Sequence, residues 1–282
     1  MSHSLNTLKI AAWLGWKIEF NWADPFVFAI YSLIRPITAA AIVVVMYSVI
    51  TGGRFQDPLF AYMMVGTIFY RLVGQLLMGI FWTIFDDREH YKTVKYIYTS
   101  PIEYVIYLIG RSFARLAVGT FEVIVLLVFS VLFFHLPISF ASIDWGLLLI
   151  TLLIGIFHIS FLGLILAGIS LHIARHSDFL GELVAGAMYF FTGAVFPLDT
   201  LEPVFRTIGL ALPITYWLEL IRRAMLGSAL PYFPTLGKFT IQQLMLILVL
   251  STIFFGIVSL LLFKDAERRA KEKGMIDMVT NY

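Results

Sequence analysis

Residues 193–199 read GAVFPLD, residues 212–216 read LPITY and residues 219–225 read ELIRRAM. These motifs follow a membrane-length apolar run, but proline, glycine and charged residues interrupt them too often for one continuous span. They predict two short helices, at 200–210 and 213–226, each about 15–20 Å long against a hydrocarbon core of about 30 Å. Irregular backbone is tolerated at membrane depth only where protein or a watery cavity covers it. The pattern therefore favours a re-entrant hairpin near the outer mouth of a transport protein.

The composition is that of a chain made for lipid. Of its 282 residues 60% are hydrophobic and 13% charged, with a mean hydropathy of +0.89, whereas soluble domains carry roughly 25% charged residues. A net charge of only +2 gives no support to a nucleic-acid partner. The chain has no cysteine, which excludes disulfides and thiolate metal sites.

Six long apolar segments predict six transmembrane helices, so we expect an all-α integral membrane protein whose single transmembrane domain covers 1–282. The predicted spans lie at 26–50, 59–85, 101–134, 145–173, 179–196 and 241–263. The remaining parts are an amphipathic interface helix at 1–24, a cytoplasmic helix at 86–99, the re-entrant hairpin at 197–227 and a cytoplasmic tail at 264–282. In the first of these, the apolar residues at helical spacing are Leu5, Leu8, Ala12, Trp16 and Phe20.

Basic residues set the orientation of the predicted spans. With the N-terminus inside, eleven basic residues fall in inner segments and five in outer ones. Three of those five, Arg206, Arg222 and Arg223, lie in the predicted hairpin helices. We therefore expect both termini in the cytoplasm.

The inner loop at 86–99 predicts a short helix on the cytoplasmic surface. Tyr91, Val94 and Tyr98 share one helical face, and the charged residues occupy the others. Such a helix suits docking into the groove of a partner. An interfacial helix that touches only lipid explains the same pattern.

No sequence motif supplies catalysis or binds a nucleotide. The nearest approach to a phosphate-binding loop is 236–240, which has Tyr232 where the first glycine is required and Phe239 where Ser or Thr is required. We therefore expect a non-catalytic chain that binds neither a cofactor nor a metal, and any ATP would be hydrolysed by another protein.

Arg71, Glu122 and His158 fall inside predicted spans, where ionisable residues are costly. A desolvated Arg71 needs a partner, and Glu122 is the best candidate in the sequence. A buried structural pair is the slightly favoured interpretation, ahead of a role in the substrate path.

Aromatic residues of the second and fifth spans could line a route for a hydrophobic substrate, although packing between helices is the ordinary role of such residues. The candidates are Phe69, Tyr70, Tyr189, Phe190 and Phe191.

Taken together, these parts resemble the membrane-spanning subunit of type-2 ABC exporters, a family that includes daunorubicin-resistance permeases and the permeases that export O-antigen and teichoic acid. The resemblance covers essentially the whole chain. Besides the hairpin motifs, the resemblance rests on TSPIE at 99–103 with Gly110-Arg111. Each motif is short, and the order and spacing of the set carry the resemblance.

The resemblance implies half of an exporter in a prokaryotic plasma (inner) membrane. A second copy would complete a homodimer, with spans two and five at the interface and the pathway. Two separate ATPase subunits, which hold ATP and Mg²⁺, would dock on the interface helix and on the 86–99 helix. The implied coupling residues are Asp87, Arg88, Tyr91, Lys92 and Lys95. Phe196, Pro197 and the hairpin would form the outer gate.

The implied substrate is hydrophobic or amphiphilic, a drug or a lipid-like molecule, with a lipid-linked glycan as the alternative. A self-contained carrier or channel, using Arg71, Glu122 and His158 as a relay, is the competing hypothesis. Many carriers show matched broken segments in both halves. Here the broken hairpin occurs once, which favours the exporter. A membrane scaffold would leave the hairpin unexplained.

Overall fold

The computed structural model describes residues 2–20, 24–173 and 177–276, and within these ranges every regular element is helical. This confirms the all-α prediction. The α-helices are α1 Ser2–Phe20, α2 Pro25–Thr51, α3 Pro58–Phe85, α4 Val94–Thr99, α5 Tyr104–Phe134, α6 Trp145–Ser170, α7 Ser177–Phe191, α8 Pro203–Ala211, α9 Pro213–Leu226, α10 Pro234–Gly237 and α11 Ile241–Glu272. A π-helix at Asp86–His90 and 3₁₀ turns at Leu198–Thr200 and Gly227–Ala229 complete the set.

Five of these helices, α2, α3, α5, α6 and α11, are long and apolar enough to cross a membrane. They correspond to five of the six predicted spans. The fifth predicted span, 179–196, is shorter than expected, because α7 has 15 residues and ends at Phe191. Gly193 then adopts a φ of 68°, a left-handed backbone that glycine adopts without steric cost, and the chain turns there.

The two short helices predicted for the hairpin form, and a sharp bend joins them. The prediction of 200–210 and 213–226 compares with α8 at Pro203–Ala211 and α9 at Pro213–Leu226. The bend between the pair is 83°. Each helix begins with a proline in its first turn, where the missing N–H costs no hydrogen bond.

Helix α3 lies at the centre of the bundle and is buried along most of its length. It packs against α5, α6, α7 and α9, and their side chains form the larger core. A smaller core joins α1, α4, α5 and the C-terminal parts of α6 and α11. We call this side the α1 end, and the opposite side, with α8 to α10, the hairpin end.

Helix α1 packs along the first turns of α5, and glycines permit the close approach. A Cβ on Gly110 would lie 2.6 Å from the Cβ of Ala11, and one on Gly15 would lie 2.7 Å from the Arg111 carbonyl oxygen. The face that packs against the protein therefore centres on Ala11 and Gly15. It differs from the predicted apolar stripe, since Leu5 and Trp16 are at least half exposed.

Candidate functional site

The predicted helix at 86–99 is broken into two pieces. Its first residues prolong α3 as the π-helix Asp86–His90, in which the Tyr91 amide donates to the Asp86 carbonyl at 2.8 Å. Lys92 then takes a left-handed φ of 52°, and α4 starts only at Val94. The prediction of one continuous helix is wrong because α3 does not stop at the end of its apolar run. Short π-helical stretches inside helices often mark functional positions.

Asp87 and Arg88, predicted to carry the coupling, point into the protein. Asp87 Oδ1 lies 3.0 Å from Arg111 Nη1, and both side chains are almost fully buried. Arg88 donates to the carbonyls of Ser170 and Ile173, at 3.3 and 3.4 Å. These two residues therefore tie the segment to α5 and to the end of α6.

The outward-facing residues of the segment include Tyr91, Lys92 and Lys95, together with Tyr96, which is 76% exposed and was not predicted. An apolar groove of about 460 Å³ separates this surface from α1. Its walls include Leu14 and Ile18 on one side and Tyr91, Tyr96 and Ile97 on the other.

Two further contacts fix the surroundings of the segment at the α1 end. Glu19 Oε1 of α1 lies 2.6 Å from Arg115 Nε of α5. Burial raises the pKa of the Glu19 carboxyl above its usual 4.5, against the opposing charge of Arg115. Lys271 of α11 sits over the ring of Tyr98 of α4, 4.6 Å from its centroid. The first contact thus fixes α1 on α5, and the second ties the last helix to the segment itself.

The predicted pair of Arg71 and Glu122 is confirmed. Arg71 Nη2 lies 2.8 Å from Glu122 Oε2, and Gln75 Nε2 donates to the other carboxylate oxygen at 3.0 Å. The carboxylate is buried, whereas the arginine side chain retains 24% exposure. His158 is also buried, but its Nδ1 faces Thr252 Oγ1 of α11 at 3.3 Å. His158 therefore lies outside this ion pair.

The predicted path aromatics fall into separate groups. Tyr70 and Tyr189 pack with ring centroids 4.9 Å apart, joining α3 to α7, and the Tyr70 hydroxyl donates to the Ala185 carbonyl. Phe190 is 44% exposed and contacts Phe196, with centroids 5.4 Å apart. Phe69, in contrast, is buried beside a cleft between α5 and α6.

Phe191, also a candidate, contacts Phe190 and Phe205. Pro197 is buried directly before the 3₁₀ turn Leu198–Thr200. The residues chosen for the gate thus lie where α7 turns into the hairpin.

Arg222 of α9 joins that turn to α3. Its guanidinium donates to the carbonyls of Tyr62, Gly193 and Ala194 at 3.1, 2.7 and 3.1 Å and lies 3.7 Å from the Tyr62 ring centroid. The side chain has no exposed surface. Because a Cβ on Gly66 would collide with Arg222 Nη2 and the Ala194 carbonyl, the contact requires glycine there. We call this group the hairpin clamp.

Neighbouring charges fasten the rest of the hairpin. Arg223 pairs with Glu219 at 3.0 Å and donates to the carbonyls of Leu236 and Phe239. Asp199 accepts from the amide and hydroxyl of Thr235, at 3.1 and 2.7 Å. Polar side chains thus hold α9 and the Leu198–Thr200 turn to the segment before α11.

Comparison with known families agrees with this arrangement of helices. The sequence profile of the ABC-2 type transporter matches residues 10–226. The chain belongs to the ABC-2 type transporter family. No curated protein matches it at a significant level. The match to the ABC-2 family begins within α1 and ends with the last residue of α9, so it contains the 86–99 segment, the ion pair and the hairpin clamp.

For this ABC-2 protein, sequence reasoning missed the roles of Arg111 and Arg222. Both lie in the motifs that carried the family resemblance. The partner of Arg111 is a buried carboxylate, and the partners of Arg222 are three backbone carbonyls. The local signal for Arg111 is a charged residue beside a glycine, Gly110, and it is weak. Trp217 was missed too: its Nε1 donates to the Thr151 carbonyl at 2.9 Å, and its ring lies where a Cβ on Gly155 would be.

Proposed function

We propose that this ABC-2 protein is the membrane subunit of an ATP-driven exporter. Two copies would form the transport path for a hydrophobic or amphiphilic, drug-like or lipid-like substrate, powered by two separate ATPase subunits that hold ATP and Mg²⁺. The observation that carries the proposal is the contrast within 86–99. Tyr91, Lys92 and Lys95 face outward, while Asp87 and Arg88 anchor the same segment inside the bundle.

This contrast suits the transfer of movement from a partner. The exposed residues offer a surface for an ATPase, and the groove beside α1 offers a place for an apolar side chain of that partner. A push on this surface would reach α5 through Arg111 and α6 through Arg88, because buried contacts transmit strain. Asp87 and Arg88 are thus assigned to transmission and the exposed residues to docking.

The second copy is assigned to the free face of α7. Leu183 is 70% exposed, Phe190 is 44% exposed, and the small residues Gly186 and Ala187 lie between them on the same face. Small residues let helices approach closely in membranes. The path would then run beside Tyr70 and Tyr189, with Phe196, Pro197 and the hairpin as its outer gate.

The excess of basic residues at the α1 end favours an orientation with both termini in the cytoplasm of a prokaryote and the hairpin outside. A lipid-linked glycan remains the alternative substrate. The self-contained carrier has less support, because His158 bonds to Thr252 rather than to the Arg71–Glu122 pair that a relay would need.

The test is to purify the tagged chain from native membranes in mild detergent, beside the variant Tyr91→Ala/Lys92→Asn/Lys95→Ala. Asparagine is chosen at position 92 because it tolerates the left-handed backbone there. A matched control, Tyr232→Ala/Lys238→Ala, removes the same residue types from the hairpin end. Co-purified proteins are identified by mass spectrometry and assayed for ATP hydrolysis.

We expect an ATPase with the wild type and the control but not with the folded triple variant. Retention by the triple variant would refute the docking surface, and absence of an ATPase from all three, even after cross-linking, would refute the exporter. The dimer is tested separately. Because the chain has no cysteine, a single introduced cysteine can form a disulfide only with the same residue of a second copy. Leu183→Cys should form disulfide-linked dimers in membranes, and Leu149→Cys, equally apolar and 61% exposed on α6, should not.

A further inference from the structure

A deep cleft opens sideways between α5 and α6. Both helices pack against α3, which holds them apart and forms the floor of the cleft with Phe69 and Leu72. Met225 of α9 closes the hairpin end. The cleft has a volume of about 670 Å³, within the range of roughly 300–1,000 Å³ for small-molecule sites.

The open side of this cleft faces the lipid. Ile124, Val128 and Leu132 form its lip on α5, and each is more than half exposed on an apolar membrane span. The lining is otherwise apolar apart from Thr120, whose hydroxyl is already bonded to the Leu116 carbonyl, and the Trp145 indole N–H, which donates to the Phe140 carbonyl. Because apolar cavities do not hold water, hydrocarbon is the medium that fills this space.

The length and the apolar lining of the cleft suit an alkyl chain. Its α5 wall runs from Leu116 to Leu132, which is about 24 Å at 1.5 Å per residue. The length exceeds one leaflet, about 15 Å of hydrocarbon. An extended alkyl chain suits a groove of this length and apolarity.

The position of Trp145 fixes the depth of the cleft. Trp145 at the start of α6 packs against Phe140, with ring centroids 4.6 Å apart, and tryptophan is enriched at the level of lipid headgroups. The cleft starts at this level and runs toward the α1 end. We propose that it binds one acyl chain of a bilayer phospholipid from the leaflet at the hairpin end. This site requires no ATPase and goes beyond the proposed transport activity.

The test uses lipid nanodiscs that contain a trace of phospholipid with a diazirine at the methyl end of one acyl chain. After irradiation, lipid adducts are mapped by mass spectrometry. Leu152→Trp on α6 fills the cleft, and its matched control, Leu153→Trp, places the same ring on the outer lipid face. Thr120→Trp and Phe121→Trp form a second such pair on α5, should Leu152→Trp fail to fold.

We expect adducts on Leu127 and Ile156, partly buried residues inside the cleft, at a yield reduced at least fivefold in the filling variants and within twofold in the controls. Adducts confined to exposed residues such as Leu149, or an undiminished yield in both filling variants, would overturn the proposal. Peptide–peptide links across the cleft between two copies would also overturn it. Since the readout needs no ATPase, its failure is distinct from that of the proposed function.

Discussion

Removal of Arg111 should destabilise the α1 end strongly. The Asp87–Arg111 pair has 1% and 4% side-chain exposure, so Arg111→Met leaves a carboxylate buried without its partner. Breaking such a pair costs about 3–5 kcal/mol. At roughly 2–4 °C per kcal/mol, the unfolding temperature should fall by about 6–20 °C. The assay is size-exclusion chromatography of the detergent-solubilised protein after heating.

A double variant distinguishes the loss of the pair from a general packing defect. Asp87→Asn/Arg111→Met removes both charges, and replacing a whole buried pair by neutral groups is often nearly neutral. It should recover at least half of the lost unfolding temperature. Arg268→Met, which removes an exposed pair with Asp265, should leave it unchanged. A double variant no more stable than Arg111→Met alone would refute the reasoning.

Three further predictions concern other parts of the protein. The charge-exchanged variant Arg71→Glu/Glu122→Arg should give more folded protein than either single change, and equal or lower yields would contradict a stabilising ion pair. Gly66→Ala should lower the free energy of unfolding by about 1–3 kcal/mol, because it overpacks the hairpin clamp. Gly74→Ala on the same helix meets no atom within 4 Å and should stabilise the protein slightly. Unfolding temperatures that do not differ between the two variants would argue against the clamp. Because the pKa of Glu19 is raised in the folded protein, folding favours the protonated carboxyl. The contribution of Glu19 to the free energy of unfolding is therefore complete below pH 4.5 and is lost as pH rises through the raised pKa. Glu19→Gln should remove this part of the pH dependence of unfolding, and an unchanged pH profile would contradict the assignment.

The spans and the hairpin could be predicted because their causes are local. Apolar runs of membrane length define α2, α3, α5, α6 and α11, and prolines at positions 203 and 213 start the two hairpin helices. The Arg71–Glu122 pair could be predicted because a span offers an ionisable residue few partners.

The interior of the 86–99 segment could not be predicted for a physical reason. Face assignments at Asp87 and Arg88 assumed a new α-helix from residue 86, but the π-helix prolongs α3 and rotates both side chains inward. Arg222 was equally hidden, because a guanidinium that binds backbone carbonyls needs no charged partner that the sequence could reveal. Charge in an amphipathic sequence looks like a solvent-exposed face, and only tertiary contacts show otherwise.

One helix connects these two unpredicted sites. Asp87, in the π-helix that extends α3, bonds to Arg111. Near the start of α3, the Tyr62 carbonyl accepts a hydrogen bond from Arg222 of the hairpin clamp. A helix of 28 residues is about 42 Å long, and most of this one is enclosed by neighbours. Because close-packed interiors yield little to compression, we expect a tilt imposed on the 86–99 segment to move Tyr62 as well, and with it the turn at Gly193 that Arg222 holds. The fold therefore joins the proposed docking surface to the predicted gate through α3 itself, without requiring a chain of loops between them.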